Sequence, residues 1–183
     1  MNDSTVITFT ARGIERLLKE GGTKSWVLNA KRVRKTKYVV CVQNRDQVDN
    51  HGDDWGKASA HHKEAFFVGK IADVILVEAK KDVPKRWLIK VNEYAEIHIP
   101  NMWTGNRNPV SYTSLTELGI KEEDLIFKLM PEVTDPIVNQ ILPNEKEVTE
   151  VNYSEGLTIK EAKTLLSIKY DTSEDNIEII IKG

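Results

Sequence analysis

Apolar positions along the first hundred residues recur in short runs that predict strands. The run at 38–42 is apolar throughout and predicts a buried strand. Longer runs at 65–77 and 86–99 predict further strands, and Gly69 indicates a bulge or a sharp bend within the first of them. Because these runs follow one another without long helices between them, the pattern favours an antiparallel or barrel-like sheet over a doubly wound parallel sheet.

Helical spacing is confined to short segments and to the C-terminal end. Residues 11–20 predict a short helix that ends at a pair of glycines. Prolines and charges in residues 131–155 predict a linker, and residues 156–183 predict a helix followed by a strand. We therefore predict an α+β fold, with a mostly antiparallel, barrel-like core and short helices over residues 1–130 and a separate C-terminal helix–strand module.

Composition limits the class of protein. The chain is 40% hydrophobic and 30% charged, which is typical of a globular protein. The sequence has no apolar run of the roughly 20 residues that a membrane span needs, and its first residues lack the features of a signal peptide. Cys41, the single cysteine, lies in an apolar run and is interpreted as a buried thiol of a reducing compartment. These features predict a cytoplasmic protein with neither a membrane partner nor a cofactor.

Charge is distributed unevenly along the chain. Residues 1–110 carry 19 Lys and Arg and 13 Asp and Glu, a net charge of +6, whereas residues 111–183 carry 7 and 15, a net charge of −8. The first part is therefore expected to face a polyanion. Alternatively, the two oppositely charged parts attract each other or a partner chain, which includes a second copy of this chain.

A basic segment provides the first candidate binding residues. Residues 31–37 hold five positive charges, and the candidates among them are Arg32, Arg34 and Lys35. Such residues bind nucleic-acid phosphates, which makes affinity dependent on salt. The alternative is a solvated surface with no partner.

Three tryptophans accompany the basic residues. Trp26, Trp55 and Trp103 provide ring faces on which unpaired bases stack. Trp55 lies in a polar stretch at 43–64, and a loop of this length is often functional. The alternative is that the tryptophans belong to the core, where most such rings are found.

The aromatic and polar segment at 101–112 is the most distinctive stretch of the chain. Besides Trp103, it contains Arg107, Asn108 and Tyr112, which supply a fork of donors, an amide able to pair with a base edge and a second ring. The alternative is a structural loop whose polar side chains bind the backbone.

A second pattern favours a metal-dependent nuclease. Glu78 and Lys80 follow an apolar strand, and Asp53 or Asp54 lies upstream. Two carboxylates and a lysine can organise a metal-bound water for attack on a phosphodiester. The signature is short, however, and the histidines lack the spacing of a zinc site, so we predict no metal.

Segments 26–30, 38–45 and 65–71 together resemble the start of a PUA-like domain, the superfamily of PUA, ASCH, EVE and YTH domains. The string from Trp103 to Asn108 resembles a motif of EVE domains, although in those proteins it lies nearer the N-terminus. The chain also resembles bacterial proteins of unassigned function that carry a similar terminal helix–strand module.

This resemblance implies a small pseudo-barrel that binds RNA or a modified base in a cleft. The residues that it places at the cleft are Trp26, Arg45, Trp103 and Asn108. We therefore expect a non-catalytic nucleic-acid-binding module. The alternatives are the metal-dependent nuclease and an interaction protein in which the acidic residues 113–183 dock a partner or a second copy of the chain.

Overall fold

One sheet of seven strands forms the centre of the computed structural model, which describes residues 4–48, 55–79, 82–133, 159–170 and 172–180. The strands are β1 (Ser4–Thr10), β2 (Gly22–Trp26), β3 (Tyr38–Gln43), β4 (Ala65–Glu78), β5 (Arg86–Ile99), β6 (Val110–Ser114) and β7 (Lys128–Leu129). The helices are α1 (Ile14–Glu20), α2 (Ala30–Val33) and α3 (Ile159–Tyr170). A fold of mostly sheet with few helices confirms the predicted α+β class.

The sheet is mixed and open. Its strand order is β2-β5-β4-β3-β1-β6, and β7 pairs with β5 beside this path. Strands β1 and β3 are parallel, and the other pairs are antiparallel, as predicted for most of the sheet. The end strands β2 and β6 do not pair with each other in the part of the chain that is described. The expected barrel-like closure is therefore wrong: the first and last amides of β6, those of Val110 and Ser114, donate to the side chains of Asn108 and Glu117 and not to another strand.

Alternation of side chains along β1 and β3 divides the core between the two faces of the sheet. One face packs under α1 and α2, and its buried residues include Val6, Leu17, Val33, Val39 and Cys41. The other face packs under the chain that follows β5, and its buried residues include Ile7, Val40, Val42, Trp103 and Leu115. All of β3 is buried, which confirms the strand predicted at 38–42.

Strands β4 and β5 form a long hairpin in which Gly69 has a packing role. Strand β4 runs continuously through Gly69, which pairs with Tyr94 in regular register. The register shifts that follow begin one residue later, after Lys70. A Cβ at position 69 would lie 2.8 Å from the Val91 methyl carbons and 2.9 Å from the Phe67 ring. Glycine is therefore required by side-chain packing on β4 and β5, and does not interrupt the strand.

The chain divides into two compact units, Met1–Ile141 and Leu142–Gly183. In the second unit, α3 confirms the predicted helix, and a short 3-10 turn follows at Glu174–Asn176. Residues 177–180 form no strand in the described part of this unit, in contrast to the strand predicted at 177–181. Most of the predicted linker lies outside the described residues. None of the described helices is long and apolar enough to cross a membrane.

Candidate functional site

Polar side chains gather where the two parallel strands end. Thr10 and Gln43 are register partners at the carboxyl ends of β1 and β3. Gln43 is fully buried, its Nε2 donates to the Thr10 carbonyl at 3.1 Å, and its Oε1 accepts from the Ser59 amide at 3.0 Å.

A buried carboxylate surrounded by basic side chains lies beside these strand ends. Glu20, the last residue of α1, is fully buried. The Nε atoms of Arg12 and Arg16 each donate to one of its oxygens at 2.7 Å. Lys24 Nζ lies 3.5 Å from Oε1. We call Arg12, Arg16, Glu20 and Lys24 the Glu20 cluster. Such a network offsets the desolvation of a buried charge only because every partner is in place.

An exposed tryptophan adjoins the Glu20 cluster. The Arg12 guanidinium lies over the Trp55 ring, 5.1 Å from its centroid, which is a cation–π contact. The Trp55 carbonyl accepts the Gly13 amide at 3.0 Å, so the backbone of the loop is tied to the start of α1. The residue remains 38% exposed. Trp55 is thus the tryptophan that combines a basic neighbour with an accessible surface.

Arg45 holds this region together through the backbone. Its Nε donates to the Ala11 carbonyl at 2.6 Å, and its Nη2 donates to the Gly56 carbonyl. The residue is buried. These two contacts join the chain after β1 to the loop that carries Trp55, and a role of Arg45 in binding stays a prediction.

The thiol of Cys41 lies on the face of the sheet that α1 and α2 cover. Burial raises its pKa to about 12, against a smaller opposing effect of the hydrogen bond from the Thr8 hydroxyl at 3.4 Å. The thiol is therefore protonated at neutral pH, and a protonated thiol is a poor nucleophile. The predicted buried thiol is confirmed.

The basic segment forms α2 and the turn after it. Arg32 lies over the Tyr112 ring at 3.8 Å. Arg34 is tied to the sheet, since its Nη2 donates to the Val74 carbonyl at 2.8 Å. Lys35 is exposed. The segment thus divides into surface positions, at Arg32 and Lys35, and a packing position at Arg34.

Trp26 and Trp103 lie in the core. Trp26 donates from its Nε1 to the Thr23 hydroxyl at 2.8 Å, and it packs on the face that α1 and α2 cover. Trp103 stacks on Phe9 with ring centroids 4.7 Å apart, on the opposite face of the sheet. Neither buried ring offers a face for a base, so the structure places both of them as the core alternative expects.

Among the remaining candidates in the segment at 101–112, Asn108 makes a structural contact and Arg107 is exposed. The Asn108 side-chain oxygen accepts the Val110 amide at 3.1 Å, an Asx turn that starts β6. Arg107 is exposed, and its role in binding stays a prediction.

The nuclease residues are described only in part. Asp53, Asp54 and Lys80 lie outside the described residues. Glu78 ends β4, where its Oε2 lies 3.8 Å from the Arg86 Nε. Among the described residues, no group of three or more His, Cys, Asp or Glu side chains could hold a metal ion. The nuclease interpretation stays a prediction.

Neither a family model, nor a curated protein, nor a solved structure matches this chain. The site is therefore interpreted from its own chemistry.

Sequence reasoning missed the Glu20 cluster. Its members come from the turn before α1, from α1 itself and from β2, and such an arrangement has no compact motif. One signal was present: Arg12, Arg16 and Glu20 follow one another at intervals of four, which places Arg16 and Glu20 on the same side of a helix. That spacing also fits an ordinary exposed ion pair, so the burial of Glu20 was the missing information.

Proposed function

We propose that this chain is a nucleic-acid-binding module without catalytic activity of its own, and that it binds RNA or a modified base at the Glu20 cluster and Trp55. The observation that carries this proposal is the pairing of a basic cluster with an exposed ring: Arg12 contacts both Glu20 and Trp55. Arg12 is itself buried and holds the ring at the cluster, so the partly exposed Arg16 is the guanidinium that would bind phosphate, while tryptophan rings stack on bases of any sequence.

The basic surface of α2 supports the same proposal. Lys31, Arg32 and Lys35 are exposed there. Leu17 of α1 and Val33 of α2 belong to one core cluster, so both helices lie on the same face of the sheet. Exposed basic residues on that face would contact phosphates of a strand whose base is held at Trp55.

The resemblance to PUA-like domains points in the same direction. It extends over about residues 24–112 and implies Trp26, Arg45, Trp103 and Asn108 as cleft residues, so it supports nucleic-acid binding but not the position of the site at Trp55. It implies a cleft in which RNA or a modified base is bound. A cytoplasmic protein, as proposed from the composition, would meet RNA directly.

The proposal is tested by fluorescence anisotropy with labelled single- and double-stranded RNA and DNA, with and without modified bases, at two salt concentrations. We expect salt-sensitive binding that prefers one of these substrates. Trp55→Ala should weaken it by about fivefold or more, since stacking contributes roughly 1–3 kcal/mol per base. Trp55→Phe, which keeps an aromatic ring, should lose less affinity than Trp55→Ala.

Absence of binding to every probe at low salt would overturn the proposal and favour the interaction-protein alternative. Binding that Trp55→Ala and Arg16→Gln both leave unchanged would show that the Glu20 cluster is not the site. Adding Mg²⁺ or Mn²⁺ to the same probes tests the nuclease alternative, which requires cleavage that Glu78→Ala abolishes.

A further inference from the structure

We infer that Arg45 is a positioning residue for the Trp55 ring, and that it fixes this ring in advance for stacking on an unpaired base of a single strand. The inference rests on the proposed function, because it names the substrate class of the same site and the side chain on which that preference depends. Arg45 is only 5% exposed, so it is expected to act through the backbone around Trp55 and not by contact with a phosphate.

Arg45 contacts the backbone next to each member of the cation–π pair. Its Nε donates to the carbonyl of Ala11, which precedes Arg12, at 2.6 Å. Its Nη2 donates to the carbonyl of Gly56, the residue that follows Trp55. One planar guanidinium therefore holds both the backbone beside the ring and the backbone beside the cation that lies over it. A movement of either segment away from the other would break one of these two hydrogen bonds.

Further hydrogen bonds hold the same two segments. The Trp55 carbonyl accepts the Gly13 amide at 3.0 Å. Gln43 Nε2 lies 3.4 Å from the Arg12 carbonyl, to which it donates, and Gln43 Oε1 accepts the Ser59 amide at 3.0 Å. Trp55 nevertheless remains 38% exposed and belongs to neither core cluster. A ring that is fixed in position and still accessible is preorganised for a ligand, which reduces the entropy lost on binding.

This arrangement favours a base that is already unpaired. The Arg12 guanidinium lies over one face of the Trp55 ring, 5.1 Å from its centroid, so a base is expected to stack on the opposite face. A base in a duplex must first be unstacked and unpaired, which costs free energy, whereas a single strand offers its bases directly. Arg16 lies close by, since a Cβ at Gly56 would be 3.4 Å from the Arg16 Cβ. A phosphate of the same strand would therefore find its guanidinium beside the ring.

The binding test compares the unmodified protein with Arg45→Lys on two fluorescein-labelled probes, a single-stranded oligoadenylate and an oligonucleotide of equal length that carries stable abasic sugars. Lysine keeps the positive charge, but its single nitrogen does not reproduce the guanidinium fork. We expect the unmodified protein to prefer the oligoadenylate by about fivefold or more, and Arg45→Lys to prefer it by less than about twofold. Salt-sensitive affinity for the abasic probe should stay the same, because phosphate contacts do not need the ring.

Arg86→Lys is the matched control. Arg86 also donates to a backbone carbonyl, that of Ser25 at 2.9 Å, but it lies on β5. This variant should keep the full preference for the oligoadenylate. A purely structural role of Arg45 would lower the affinity for both probes together and leave the preference unchanged, which would overturn the inference. Equal affinity of the unmodified protein for the two probes would overturn it as well.

A second measurement needs no nucleic acid. The other three tryptophans are buried, so the part of the acrylamide quenching that is lost when Trp55→Phe is added to a variant reports on Trp55. We expect Trp55 to be quenched more strongly in Arg45→Lys than in Arg86→Lys or the unmodified protein. Equal quenching in all three would overturn the positioning role. Stronger quenching in Arg45→Lys, without binding of the unmodified protein to either probe, would preserve that role and reject the proposed function.

Discussion

At the scale of single residues, two buried polar groups show that the free-energy cost of burial depends on whether the group has ionic or hydrogen-bond partners. Glu20 is fully buried and has three basic partners. Tyr38 is also fully buried, yet its hydroxyl has no hydrogen-bond partner among the described residues. A buried polar group without a partner costs about 1–3 kcal/mol. Glu20 is thus expected to stabilise the fold through its network, and the Tyr38 hydroxyl to destabilise it.

Glu20→Gln should lower the free energy of unfolding by about 3 kcal/mol, because it leaves Arg12, Arg16 and Lys24 without their shared charge. Urea denaturation followed by circular dichroism measures this loss. Glu15→Gln is the matched control, since Glu15 lies in the same helix but is exposed. Its effect should stay within about 0.5 kcal/mol. Similar losses in both variants would show that the network around Glu20 does not stabilise the fold.

Tyr38→Phe should leave stability unchanged or raise it by about 1 kcal/mol at pH 7, because it removes a buried hydroxyl that lacks a partner. Burial raises the pKa of the Tyr38 hydroxyl, and the nearby Glu122 carboxylate raises it further. For a raised pKa, the contribution to stability is complete below the ordinary value near 10 and is lost as pH rises through the folded-state value. Urea denaturation of Tyr38→Phe should therefore show a smaller loss of stability between pH 9 and pH 11. A clear loss at pH 7 would contradict the prediction and show that the hydroxyl has a partner.

At the scale of elements, residues that flank the edge strand β6 form hydrogen bonds with the backbone groups at its two ends. The Val110 and Ser114 amides donate to the side chains of Asn108 and Glu117, at 3.1 Å in both cases. The Ser114 carbonyl accepts from Leu118 at 3.2 Å. Strand β6 contains no charge and no proline, the usual protections of an edge. Side-chain capping at each end supplies that protection here.

Replacing both Asn108 and Glu117 with alanine should expose two strand amides and promote association of the chain through β6. Multi-angle light scattering at increasing protein concentration should show a larger mass than for the unmodified protein. The matched control replaces the exposed Asn106 and Glu123, neither of which caps β6. The same mass for both double variants would show that these caps do not protect the edge.

The elements predicted correctly are those with a local pattern. The apolar runs at 38–42 and 87–89 identify strands without tertiary information. Pairing is not local: β1 pairs in parallel with β3, and no repeating pattern indicates which strands become neighbours. The mostly apolar run at 177–180 forms no strand among the described residues. An apolar segment becomes a strand only where another strand lies beside it. Burial of Glu20 likewise depends on contacts that the sequence does not display.

At the scale of the whole molecule, charges that look separated along the chain meet in the first unit. Residues 1–141 carry 21 Lys and Arg and 19 Asp and Glu, a net charge of only +2. Lys37, at the end of the basic segment, lies 3.0 Å from both oxygens of Glu122 in the acidic part. Attraction between oppositely charged parts of one chain, the alternative to a polyanion, is therefore present at this pair. The proposed function consequently rests on the local site around Trp55 and not on net charge.

The strand order also has a consequence for the time at which the sheet can form. Strand β1 lies between β3 and β6, and Thr5 pairs with Tyr38 on one side and with Thr113 on the other. At about 5–20 residues per second, β6 leaves the ribosome several seconds or more after β1. During that interval one side of β1 has no partner strand, and pairing between such distant segments is slow. Among the strands of the sheet, the one synthesised first is among the last to be fully paired.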